Sequence, residues 1–105
     1  METEGRPFCC SERELRVFRL IGKRWTLPIL AALLQGPARF SELARAVPGL
    51  SERVMSERLQ ELSEAGVLER LVDPGPPLTT RYRLTEAGER LRPALEHLLR
   101  AALAL

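Results

Sequence analysis

Cys9 and Cys10 stand side by side near the start of the chain and are its only thiols. The thiolate is the nucleophilic and oxidisable form of cysteine, and nearby cations favour it. Arg6, Arg13 and the N-terminus of a helix expected just behind the pair would act in that direction. Such a thiol suits oxidation or attack on an electrophile. Adjacent cysteines close a strained ring, so a bridge between two copies is the easier disulfide. The competing reading is two inert thiols at a frayed terminus. Catalysis finds no second partner. The one histidine, His97, has nothing to place it beside Cys9 or Cys10, and a Cys–His pair needs hydrogen-bond contact. No H-x-x-x-H, C-x-x-C or glycine-rich phosphate loop occurs, so no metal, cofactor or enzymatic activity is expected.

A second group of residues has a different chemistry. From Met55, at about 100° per residue, Met55, Leu59 and Leu62 form one stripe and Arg53, Glu57, Gln60 and Glu64 the opposite face, with Ser56 at its edge. Those types match base edges in a DNA major groove. Arginine takes guanine bidentately, glutamine pairs with adenine, glutamate accepts from cytosine N4, and serine is permissive. A solvated helix face with alternating charge is the plainer alternative. Four carboxylates on this segment (Glu52, Glu57, Glu61, Glu64) oppose bulk attraction, so affinity would rest on geometry.

Contacts to phosphate position a protein on DNA without reading sequence. Ser41 and Ser51 lead expected helix N-termini, where free N–H groups favour a phosphate. Their other role is capping, certain to be part of the answer. Arg39 precedes the first of them, and Thr79, Thr80 and Arg81 lie on an expected hairpin, where a solvated strand position is the alternative. Arg58, at the edge of the buried stripe, has either a backbone-contacting or a structural role. Lys23 and Arg24 lie beside DNA or near an interface between copies. Trp25 reads as a core or interface anchor and Tyr82 as hairpin core.

The elements that would hold these residues follow from caps and periodicity. Ser11-Glu12-Arg13-Glu14 has capping-box form, with Leu15, Phe18 and Ile21 on one face, predicting a helix over about 12–21 that Gly22 ends. Pro28 fits the first turn of a second helix with Leu27, Leu30, Ala31 and Leu34 buried, stopped by Gly36-Pro37. Ala38-Arg39-Phe40 is extended. Ser41 is expected to cap a short helix, Glu42 to Ala46, and Ser51 a longer one reaching Ala65 before Gly66. Two helices joined by a glycine-bearing turn are the helix-turn-helix pattern, about 41–65. A hairpin over about 67–84, with the loop Asp73-Pro74-Gly75-Pro76-Pro77, is then a wing. Thr85 is expected to cap a last helix over about 86–103, with Leu91, Leu95, Leu98 and Leu99 on its apolar stripe. Pro93 predicts a kink or late start there. The expected architecture is one mainly α domain with a small β-hairpin, a winged helix-turn-helix with an added helix at each end.

Composition agrees with one such domain. The chain has 105 residues, 45% hydrophobic and 29% charged, which excludes bulk disorder and leaves no room for a second core. Aromatics are only 5%, which favours aliphatic helices over a β-sandwich. No apolar run approaches the roughly 20 residues of a membrane span, and METEGRPF lacks a signal layout, so a cytoplasmic chain with no membrane partner is expected. Net charge is +2, from 16 basic and 14 acidic residues, and residues 36–85 hold seven of each. No basic footprint announces nucleic acid, so a protein-protein interaction module using the same helix stays as a second reading.

Taken in order, these segments resemble the HxlR-type family of bacterial winged-helix transcription regulators. The resemblance rests on Ile21-Gly22-Lys23-Arg24-Trp25-Thr26-Leu27-Pro28-Ile29-Leu30, Arg39-Phe40-Ser41-Glu42-Leu43 and Pro48-Gly49-Leu50-Ser51. It continues through Arg58-Leu59-Gln60-Glu61-Leu62, Gly66-Val67-Leu68-Glu69-Arg70 and Tyr82-Arg83-Leu84-Thr85-Glu86-Ala87-Gly88, with Leu91 and Pro93. It spans roughly residues 9 to 99. The resemblance implies a homodimer built mainly by the first and last helices that binds a double-stranded, inverted-repeat DNA operator, with a small-molecule or oxidant effector as a further partner. The chain also departs from the pattern. Many members carry a cysteine a little over a dozen residues before the tryptophan, whereas Cys10 and Cys9 lie fifteen and sixteen residues before Trp25, with no proline after them.

Overall fold

In the computed structural model, which describes residues 10–105, Ser11 begins the first helix as its sequence requires. Its Oγ accepts from the Glu14 N–H at 3.2 Å, and Glu14 accepts from the Ser11 N–H at 2.8 Å. Helix α1 (Glu12–Ile21) follows, then α2 (Thr26–Leu33), β1 (Ala38–Arg39), α3 (Phe40–Ala46) and α4 (Glu52–Glu64). Strands β2 (Leu68–Asp73) and β3 (Thr79–Leu84) form the wing, and α5 (Glu86–Glu89) and α6 (Arg92–Leu103) complete the chain. The antiparallel sheet has the order β1-β3-β2, with Arg39 opposite Arg81, and Leu68, Arg70 and Val72 opposite Leu84, Tyr82 and Thr80. The chain is thus mainly helical with a small sheet, the winged-helix arrangement expected from the sequence.

The core is aliphatic and centred on α2. Ile29, Leu30 and Leu33 pack with Leu43 of α3, with Met55, Leu59 and Leu62 of α4, and with Leu68, Leu84 and Leu95. Two expectations need correction here. Of the expected buried side of α2, Leu30 is buried, but its companions are Thr26, Ile29 and Leu33, not Leu27, Ala31 and Leu34. This helix meets α1, α3, α6 and β3, and a helix apolar nearly all round gives periodicity no single face to select. Thr26 is fully buried, and its Oγ1 meets no hydrogen-bond partner among the described residues. Likewise Ser41 does not cap α3. The helix starts at Phe40 with Arg39 as N-cap, because the Glu42 carboxylate reaches back to accept from the Arg39 N–H at 2.7 Å.

The end of α4 and the start of α5 are locked together. Gly66, at φ +78, lets its own N–H reach the Ser63 carbonyl at 3.0 Å and the Val67 N–H reach the Leu62 carbonyl at 2.9 Å. That pair of bonds is the Schellman closure of a helix. The Thr85 hydroxyl donates to the Gly66 carbonyl at 2.5 Å and accepts from the Gly88 N–H at 3.1 Å. A side chain on Gly88 would drive into the Val67 carbonyl oxygen. Thr85 therefore caps only the one-turn α5. Pro93 sits in the first turn of a separate α6, the late start its ring favours. Arg92 ties the two by donating to Glu89 at 2.7 Å and to the Leu34 carbonyl at 3.0 Å.

The terminal helices are only partly covered. Helix α1 buries no residue, and Leu15 and Phe18 are 39% and 57% exposed. In α6 only Leu95 is buried, while Leu98, Leu99 and Leu103 are exposed. None of the described helices is long and apolar enough to cross a membrane.

Candidate nucleic-acid interface

Burial of Met55, Leu59 and Leu62 forces the opposite side of α4 into solvent, and Arg53, Ser56, Glu57, Gln60 and Glu64 are all exposed. Ser51 fixes where the helix begins, its Oγ accepting from the Val54 N–H at 3.1 Å. Along the exposed face, Arg53 Nη1 lies 2.7 Å from Glu57 Oε2, and Gln60 Nε2 donates to Glu64 at 3.1 Å. The two side chains best suited to guanine and adenine are therefore each engaged with a carboxylate one turn on. These pairs are exposed and worth only about 0.3–0.5 kcal/mol each, so a base edge can replace them.

Beside this face a polar recess of about 430 Å³ separates α4 from the sheet, lined by Ser56, Gln60, Glu64, Arg70 and Tyr82 among others. Arg70 is a cation that the sequence reading did not single out. It is exposed, lies opposite Tyr82 across the β2–β3 pair, and has no ion pair among the described residues. The signal was present as strand alternation. Leu68 points to the core, so Arg70, two residues on, shares its face toward α4.

The expected phosphate contacts divide into four groups. Arg39 and Arg81, far apart in sequence, are register partners in the β1–β3 ladder, and directly opposed like charges are unfavourable unless an anion joins them. Arg81 also donates to Asp73 at 2.9 Å, and Arg83 to Glu69 at 2.7 Å. Thr79 and Thr80 are half-buried in β3. Ser51 is occupied by capping, and Ser41 lies exposed in the first turn of α3. Arg58 makes structural contacts within the fold. Its side chain is 17% exposed, its Nε donates to the Arg24 carbonyl at 3.0 Å and its Nη1 lies 3.4 Å from Glu61. Glu61 also meets Lys23 Nζ at 2.8 Å, so Arg58 and Lys23 together bind α4 to the α1–α2 turn. The same turn holds Trp25 at φ 79, with the Arg24 guanidinium 5.1 Å from the ring centroid.

The family model for the HxlR-like helix-turn-helix matches residues 20–103. The chain belongs to the HxlR-like family. Among relatives of this HxlR-like chain, the HTH-type transcriptional regulator YvaP of Bacillus subtilis is 47% identical over 76 residues, which are 72% of this chain and 70% of YvaP. The reduced form of the transcriptional regulator YodB from B. subtilis superimposes with a TM-score of 0.80 at 34% identity, covering 90% of this chain and 92% of that one. The redox regulator HypR in its oxidised form gives 0.83 at 26% identity, covering 89% and 96%.

Of the HxlR-like chain's two thiols, Cys10 is exposed, unbonded and immediately ahead of the Ser11 cap, while Cys9 lies outside the described residues. His97 is exposed on α6, its Nδ1 3.4 Å from Arg100 Nη2.

Proposed function

We propose that the chain is a cytoplasmic, homodimeric transcription regulator that binds a palindromic double-stranded DNA operator and acts as a repressor. The observation that carries the reading is the exposed polar face of α4, held outward by Met55, Leu59 and Leu62 and flanked by the wing. In this reading Arg53, Ser56, Glu57 and Gln60 meet base edges, with Arg53 exchanging Glu57 for guanine. Arg39 and Arg81, joined by Ser41, Ser51, Thr79 and Thr80, hold the phosphate backbone. Arg70, next to the α4 recess, adds to that set. Leu15 and Phe18 on α1 and Leu98, Leu99 and Leu103 on α6 supply an apolar surface for a second copy. The dimer twofold then sets two recognition helices about 34 Å apart.

An oxidant or electrophile acting on Cys10 or Cys9 would be the effector. The similarity to YodB, solved in its reduced form, and to the redox regulator HypR, solved reduced and oxidised, supports this, as does the exposure of Cys10.

Anisotropy titration of the reduced protein against its own upstream DNA, beside a scrambled duplex of equal composition, tests the main reading. A preference of about a thousandfold or more is expected, with log K falling steeply as log salt rises. Equal, salt-insensitive binding to both duplexes would refute it. A DNA-independent protein partner after DNase treatment would support an interaction module instead. For the sensor, diamide should alter DNA affinity in the wild type and leave a Cys9→Ser, Cys10→Ser double variant unmoved.

A further inference from the structure

A cleft of about 580 Å³ runs between α1 and the body of the domain, within the roughly 300–1,000 Å³ of small-molecule sites. Its floor is aliphatic, with Leu30 and Leu62 from the core and Val67 and Leu91 beside them. Its rim is Arg13, Arg16 and Arg19 of α1, and among the described residues no acidic side chain lines it. Among the described residues none of these three guanidiniums has an ion pair or side-chain hydrogen bond. Elsewhere Arg53, Arg81, Arg83 and Arg92 each hold a carboxylate within 3.0 Å. An apolar floor beneath these cations fits one chemistry. The body of the ligand is apolar, displacing water from the leucines, and its head is a carboxylate, which matches a guanidinium fork. A DNA phosphate would satisfy the rim and leave the floor wet, and a neutral hydrocarbon would do the reverse.

The cleft and the apolar surface assigned above to a second copy lie on opposite sides of α1. At about 100° per residue, Arg13, Arg16 and Leu20 share one side, whereas Leu15 and Phe18 project from the other. We propose that this cleft is a binding site for an amphipathic organic acid, a medium-sized apolar body bearing one carboxylate. Leu62 and Ala65 also line it, so the occupant touches the last turn of α4. Its influence on DNA rests on the reading of α4 given above.

Decanoate is a suitable probe, titrated calorimetrically into the full chain without DNA, with decyltrimethylammonium as the matched cation. Saturation at one decanoate per chain is expected, with the cation at least about tenfold weaker. An Arg13→Gln, Arg16→Gln double variant, exposed and free to fold, should lose about tenfold in decanoate affinity. Equal binding of the two probes, no saturation by decanoate, or an unchanged double variant would overturn the site. Operator anisotropy with and without decanoate tests the link to α4. Bound decanoate that leaves DNA affinity unchanged overturns that link. Decanoate binding in a chain that binds no DNA sustains the cleft and locates the failure in the proposed function.

Discussion

Replacing Arg53 by alanine separates base reading from helix stability, because the structure makes the two effects unequal. Among the described residues Arg53 is held only by Glu57, at 2.7 Å, with side-chain exposures of 78% and 49%. Losing an exposed i,i+4 pair costs about 0.3–0.5 kcal/mol, and alanine's helix propensity offsets part of that. The thermal midpoint should therefore move by only a degree or two. A bidentate arginine–guanine contact discriminates by about 1–3 kcal/mol, or about 5- to 140-fold. Arg53→Ala should lose that factor at one base pair of each half-site and keep its binding to scrambled DNA within about twofold. Arg81→Ala, through the phosphate pairing with Arg39, should weaken specific and scrambled duplexes alike and lower the salt slope by about one. The assay is anisotropy over a panel of single-base operator variants at two salt concentrations. If Arg53→Ala loses equally on every duplex, the division of roles is refuted.

Three further outcomes test the fold. Thr26→Val replaces a fully buried, unpartnered hydroxyl with a methyl and should stabilise by about 1–3 kcal/mol in urea unfolding; a loss of stability would mean the hydroxyl is satisfied. Gly88→Ala places a Cβ against the Val67 carbonyl, so the wing-to-α5 junction must shift, at a cost of about 1–3 kcal/mol in the urea midpoint; a neutral result would contradict the close approach. Hydrogen bonding from Arg92 holds the Glu89 carboxyl below its ordinary value of 4.5. That bridge stabilises fully above the ordinary value and is lost as pH falls through the lower, folded one. Unfolding midpoints measured from neutral to acid pH should therefore fall less steeply for Glu89→Gln than for wild type, and parallel curves would refute the bridge.

Local chemistry decided what could be read from sequence. Helix α1 begins at Glu12 and ends at Ile21, the expected limits, because Ser11, Glu14 and Gly22 act within a few residues of each other. The stripe of α4 was equally legible, since only Met55, Leu59 and Leu62 offer it a buried side. Helix α2 was not, because almost any rotation of an apolar helix buries leucines. The partner of Arg58 was not legible, because the Arg24 carbonyl lies 34 residues away. The facing of Arg39 and Arg81 and the cleft under Arg16 are likewise products of tertiary placement. Arg70 is the exception, since counting two residues from Leu68 would have found it.

Trp25 has an optical consequence. It is the only tryptophan, so the indole emission of the protein comes from one site. That ring is stacked beneath Arg24 and faces Gly49 in the turn between α3 and α4, where an added Cβ would lie 3.6 Å from Cη2. The Arg24 carbonyl is in turn the acceptor for Arg58 of α4. A cation beside the indole tunes its emission energy and quenching, so any rotation of α4 that pulls on Arg24 should change the fluorescence. The wild-type chain thus carries its own label-free spectroscopic reporter on the helix-turn-helix.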